Sequence, residues 1–197
     1  MRDHPSLLAG HRLLDLERIL KALHTIYNWE AESFSYLRIP KCYSSTFTNY
    51  FNDRDGSSVI GTHANGQMRV AFIRHPLQRV VSFYSRTWHQ KPFEQWVRSD
   101  LPGLIERDPH AAKYWKIRAL ATHVEAVEAM NVWWPVYQEL KPQFFGDMPT
   151  QTANASKDHH KPDQSLVNEL APLIMRNYRE DEDLWLEKYE TALRSYP

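Results

Sequence analysis

Two stretches of the chain combine cations, hydroxyls and helix starts at spacings that suit anion binding. The first is Pro40-Lys41-Cys42-Tyr43-Ser44-Ser45-Thr46, which sets one ammonium and three hydroxyls at the mouth of a turn. Lysine supplies a mobile point charge, while hydroxyls and backbone amides supply fixed donors. The second is Arg74-His75-Pro76, with Arg79 and then Ser82-Phe83-Tyr84. An arginine at a strand end and a serine eight residues on can converge on one phosphate. Lys41 and Arg74 are 33 residues apart. A strand–turn–helix unit aims amides and the positive end of a helix dipole at whatever lies over the turn. Two such units side by side can grip the two ends of a nucleotide that carries two separate phosphate groups.

The elements that must position these residues read as follows. Apolar runs predict strands over 33–39 and 69–73, with a short strand at Val59-Ile60-Gly61. Ser44 or Ser45 is a good N-cap for a helix to about Phe51, and Pro76 suits the first turn of a helix to about His89. Helical spacing is also read over 6–27, 93–99, 109–130, 164–178 and 181–194. Residues 141–163 read as a long loop rich in proline and polar residues. Strands alternating with helices predict an α/β fold. It is a three-layer, P-loop-like domain with a short central parallel sheet flanked by helices and a mostly helical C-terminal half. At 197 residues, 1–197 reads as a single domain.

Composition narrows the function classes. The chain holds 24 basic and 24 acidic residues, so no global field draws it to nucleic acid or a membrane surface. The charge is uneven: residues 36–91 carry a net +6 and residues 92–197 a net −5, so positive charge collects where the two motifs lie. The single cysteine, Cys42, rules out an intramolecular disulfide and a Cys-rich zinc site. His159-His160 lack metal-ligand spacing, and no metal is expected. No apolar run approaches the roughly 20 residues of a membrane span, and Met1-Arg2-Asp3-His4-Pro5 lacks a secretory signal core, so a cytoplasmic location is expected. Gly-x-x-x-x-Gly-Lys-Ser/Thr is absent, which argues against an ordinary nucleotide kinase. Trp133-Trp134 could stack on a sugar, although tryptophan more often belongs to a core.

The pair of motifs resembles the two cofactor signatures of sulfotransferases that use 3′-phosphoadenosine 5′-phosphosulfate, closest to the carbohydrate-modifying branch. In that branch one strand ends in Pro-Lys followed by small residues and Ser/Thr, and a later strand ends in Arg-Asp-Pro followed by Arg and Ser-x-Tyr. Pro40-Lys41 with Ser44-Ser45-Thr46, and Arg74-His75-Pro76 with Arg79 and Ser82-Phe83-Tyr84, match this pattern. Tyr43 stands where a small residue is usual, and His75 where Asp is usual. Tyr178-Arg179-Glu180-Asp181 resembles the family's terminal Tyr-x-x-Asp.

The resemblance implies that Lys41, Cys42, Tyr43, Ser44, Ser45 and Thr46 hold the 5′-phosphosulfate, and that Arg74 and Ser82 hold the 3′-phosphate. Lys41 and His63 are the implied catalytic residues, with His63 as general base and Glu30 and Glu32 as rivals for that role. A contact from Asn154, Ser156 or Lys157 to the cofactor is a further expectation. The expected activity is transfer of a sulfuryl group to a hydroxyl-bearing acceptor, a carbohydrate or glycoconjugate, with adenosine 3′,5′-bisphosphate as product. The alternatives are a non-catalytic module that binds a bisphosphorylated nucleotide, or a small nucleotide kinase or other phosphoryl transferase.

Overall fold

The computed structural model describes residues 25–29, 34–52, 59–61, 68–147 and 161–195. Five strands form one sheet: β1 (Thr25–Trp29), β2 (Phe34–Arg38), β3 (Val59–Gly61), β4 (Met68–Ile73) and β5 (His123–Ala126), in the spatial order β3-β1-β2-β4-β5. β2, β4 and β5 are mutually parallel, while β1 runs against both β2 and β3. The expected parallel sheet is therefore present as three strands, extended by an antiparallel pair.

Two expected helices need correction. Helical spacing over 6–27 ran into Thr25–Trp29, which is a strand paired on both sides. The helix read over 109–130 is instead a 3₁₀ turn (Trp115–Ala119), strand β5 and a second 3₁₀ turn (Val127–Ala129). In both places pairing with a neighbouring strand satisfies the backbone and overrides local spacing.

The strand register forms one row across the sheet. Ile26 pairs with both Gly61 and Leu37, Leu37 with Ala71, and Ala71 with Val124. Since β3, β2, β4 and β5 point the same way, their carboxyl ends leave the sheet along a single edge. In open α/β sheets that edge is where ligands bind.

β2 and β4 are buried on both faces, as helices on both sides of a sheet require. Alternate side chains feed two cores. Phe34, Tyr36, Val70 and Phe72 pack with α1 (Ser44–Asn52), and with two helices of the second half, Met130–Leu140 and Pro142–Phe145. Leu37, Ile39, Ala71 and Ile73 pack on the opposite face with Tyr114, Ile117 and Leu184. A third cluster joins α2 (Pro76–Thr87), α3 (Phe93–Ser99), α4 (Leu101–Arg107) and α7 (Gln164–Asn177); the Met130–Leu140 and Pro142–Phe145 helices are α5 and α6. The chain closes in α8 (Arg179–Ser195), which packs against β5. The residues read as one loop over 141–163 thus include helix α6, and 148–160 lie outside the described residues.

Aromatic stacking fixes α1 to the sheet. The Phe47 and Phe72 rings stack with centroids 3.9 Å apart, and Phe72 stacks on Trp133 at 5.2 Å. Truncating one such buried ring to alanine costs roughly 3–5 kcal/mol, so the helix that opens at Ser44 is held by its apolar face. Trp133 and Trp134 are both buried, which assigns them to this core. Among the described residues no helix is long and apolar enough to cross a membrane.

Candidate active site

Among the described residues, the only left-handed ones lie in the turn after β2: Lys41 at φ 65° and Tyr43 at φ 55°, with Cys42 between them. Alternating handedness of this kind turns successive amides toward one point and makes a concave anion seat. Each left-handed non-glycine residue costs roughly 1–2 kcal/mol, so the surrounding structure must impose the shape. Cys42 anchors the turn from below. Its side chain is wholly buried, its amide donates to the Ile39 carbonyl at 3.4 Å, and burial pushes its thiol up to about 11. Only its backbone is positioned to serve an anion. From above, the fully buried Arg79 donates from Nε to the Pro40 carbonyl at 3.0 Å.

α1 begins at Ser44 itself, so the first-turn amides of Ser44 and Ser45 stand where a helix leaves donors without internal partners. The hydroxyls of Ser44, Ser45 and Thr46 line a cavity of about 780 Å³ together with Lys41 and Tyr43. Lys41 reaches over the Phe83 ring, with Nζ 5.8 Å from its centre. Burial, then the Arg86 and Arg79 guanidinium groups, push the Lys41 ammonium down to about 8. A cation held this way gains from a bound anion, which relieves the repulsion and restores the proton.

The turn after β4 is built differently. His75 caps α2: its Nδ1 accepts from the Leu77 amide at 3.3 Å, the task usually met by Asp, Asn or Ser. Burial lowers the His75 pKa, against the upward pull of Glu128 and Glu182. The carboxylate at this turn comes instead from Glu128, just beyond β5. Its Oε1 accepts from the His75 amide at 3.0 Å and its Oε2 from Trp185 Nε1 at 2.8 Å. Arg74 lines the same cavity, donates from Nε to Gln78 at 3.2 Å, and lies 5.2 Å from the centre of the Tyr43 ring. The large residue at position 43 therefore couples the two turns through a cation–π contact. Ser82 follows on the same face of α2 and also lines the cavity.

The cavity thus gathers Lys41, Tyr43, Ser44, Ser45, Thr46, Arg74 and Ser82 from the expected site. His63, Glu30, Glu32, Asn154, Ser156 and Lys157 lie outside the described residues. Among the lining residues that sequence reasoning missed, four are ionisable: Arg38 at the end of β2, Arg86 on α2, His110, and Lys161 just ahead of α7. Arg86 sits one helical turn beyond Ser82, a spacing that could have flagged it. His110 is oriented by Asp108, whose Oδ1 accepts from the His110 amide at 2.8 Å and lies 3.0 Å from Nδ1. Lys161 comes from far along the chain and carried no local signal.

Among the described residues the cavity lining includes five basic side chains (Arg38, Lys41, Arg74, Arg86 and Lys161) and no carboxylate. That donor set, over two turns at the carboxyl ends of adjacent parallel strands, fits a multiply charged anion with separated charge centres. No group of His, Cys, Asp and Glu side chains suited to a metal occurs among the described residues.

Comparison with known proteins agrees with this geometry. Residues 24–178 match the model of the sulfotransferase family, a span that takes in both turns, the cavity and Tyr178. No curated protein and no solved structure matches the chain. On the extent of that match, the chain belongs to the sulfotransferase family.

Proposed function

We propose that the chain, acting as one domain over 1–197, moves a sulfuryl group from 3′-phosphoadenosine 5′-phosphosulfate to an acceptor hydroxyl, on a carbohydrate or glycoconjugate. The observation that carries this reading is the cavity itself: among the described residues, five basic side chains, no lining carboxylate, and two turns at the ends of adjacent parallel strands. The donor nucleotide brings an activated sulfuryl group and two separated phosphate positions. Lys41 and the 42–46 backbone and hydroxyls hold the 5′ end, with Cys42 contributing only its backbone. Arg74 and Ser82 hold the 3′-phosphate.

Lys41 offsets the charge that develops on the leaving phosphate, an interaction worth most in the transition state. A sulfuryl group carries less charge than a phosphoryl group, so fixed cations suffice and no metal is needed. His63 is the candidate general base. Support comes from the register: Gly61, two residues before it, lies in the same cross-sheet row as Leu37 and on the edge from which Lys41 and Arg74 emerge. Glu30 and Glu32 are the rival bases.

Incubation with donor labelled in the sulfuryl group and a panel of glycans, lipids and small alcohols tests the reading. Label is expected on a glycan. Tight binding of adenosine 3′,5′-bisphosphate with no transfer to any acceptor would mark a non-catalytic module. Equal affinity for this nucleotide and for AMP would overturn the two-seat assignment. His63→Ala is expected to cut kcat/KM about a hundredfold and to flatten its rise with pH near 6–7, with nucleotide affinity unchanged. Retention of the wild-type rate would move the base role to Glu30 or Glu32.

A further inference from the structure

Beside the cavity runs a segment, residues 109–115, whose Ala111, Ala112 and Tyr114 are buried and which is bonded to both turns. Arg79 bridges it to the first. The guanidinium donates from Nε to the Pro40 carbonyl at 3.0 Å, from one terminal nitrogen to Ala112 at 2.7 Å, and from the other to Pro109 at 3.0 Å. Tyr114 bridges the segment to the second turn, its hydroxyl donating to the Arg74 carbonyl at 2.7 Å.

The segment is in turn fixed from the junction of α7 and α8. The Asp181 carboxylate, fully buried, accepts from the amides of Tyr114 at 3.0 Å and Trp115 at 2.8 Å. The Tyr178 hydroxyl donates to the Ala111 carbonyl at 2.6 Å. Arg79 also lies against the Tyr114 ring, 5.5 Å from its centre.

The two contacts that reach the turns end on the main-chain carbonyl immediately before, or of, a cation that lines the cavity: Pro40 ahead of Lys41, and Arg74 itself. A side chain can swing, but these carbonyls fix where the two turns leave the sheet. We propose that segment 109–115 is a shared strut that sets the separation of the two anion seats, with Arg79 and Tyr114 as positioning residues. Nucleotides that occupy both seats depend on that separation, and nucleotides that occupy one do not.

The inference rests on the two-seat reading above, and its test separates the two. Affinities for adenosine 3′,5′-bisphosphate and for AMP are measured by calorimetry on the wild type and on Tyr114→Phe, which keeps the ring and loses one hydroxyl. The variant is expected to bind the bisphosphate about three- to tenfold more weakly, with AMP affinity changed less than about twofold. Arg79→Lys keeps the charge but cannot span three carbonyls, and is expected to narrow the preference further. If the wild type prefers the bisphosphate and Tyr114→Phe keeps that preference intact, the strut is overturned and the two-seat reading stands. Equal losses for both ligands, or a lower melting temperature with an unchanged ratio, would likewise reduce the segment to a fold-stabilising role. A wild type with no preference overturns the two-seat reading, and the strut with it.

Discussion

The turns after β2 and β4 face one cavity but reach their shapes by opposite means. The first is shaped by its backbone. Lys41 and Tyr43 are left-handed without being glycine, and buried neighbours hold them there. The second has no left-handed residue; a side chain, His75, caps it, Pro76 starts the helix, and Glu128 holds its amide. A backbone-built seat presents fixed dipoles whose positions cannot relax as charge moves, which is what stabilisation of a transition state requires. A side-chain-built seat suits a group that is held but does not react. Under the proposed sulfotransfer, that difference is the reason to expect the reacting end at the first turn and the anchoring end at the second.

The sharpest way to break that contrast is Lys41→Ala. Loss of a cation acting on developing charge is expected to lower kcat about a hundredfold or more, with a modest change in nucleotide affinity. Rapid-mixing kinetics that found weakened binding with kcat intact would reverse the assignment. Arg74→Ala is the counterpart. It removes a charge-assisted contact to a spectator phosphate, so affinity for adenosine 3′,5′-bisphosphate is expected to fall tenfold to hundredfold while kcat at saturation holds, within about threefold.

The depressed Lys41 pKa supplies a third test. The ammonium is charged below about 8 and loses its proton above it, so kcat/KM is expected to fall about fivefold from pH 8 to 9. Lys41→Arg, charged throughout, should flatten this limb, and steady-state rates across the range measure it. A bound anion raises the Lys41 pKa, so the same limb in kcat should lie at higher pH than in kcat/KM.

The smallest effect is expected at the second turn. His75→Ala removes the α2 cap and should cost about 1 kcal/mol in chemical denaturation. Burial sets the folded His75 pKa below its unfolded value, so its contribution is complete above pH 6.5 and is lost as pH falls through the folded value. His75→Ala should lose that acid sensitivity together with the cap.

The same two turns show what could be read in the chain directly. β2 and β4 were legible because each is a run of apolar residues closed by a turn with a cation. Lys41, Ser44, Ser45, Thr46, Arg74 and Ser82 were legible because their partners are close in sequence. β1 was not, since Ile26 and Tyr27 continue the helical spacing of the preceding leucines and only pairing with β2 and β3 makes them a strand. β5 was not, since four residues carry too little pattern against helix-forming neighbours. Arg79 was legible as part of the second motif, but its burial against three carbonyls depends on Pro40, Pro109 and Ala112 meeting in space. Tyr43 and His75, which depart from the family pattern, make sense only beside Arg74 and Glu128.

Cys42 turns the first seat into its own reporter. The chain has one thiol, and it lies fully buried beneath the strained turn with its ionisation suppressed. A thiol-reactive probe can reach it only when the turn or the whole domain opens, so the labelling rate counts those openings. A ligand seated on the turn should slow labelling in proportion to its occupancy, and one held only by Arg74 and Ser82 should slow it less. The residue that contributes no side chain to the cavity thereby offers a clock on how often the cavity comes apart.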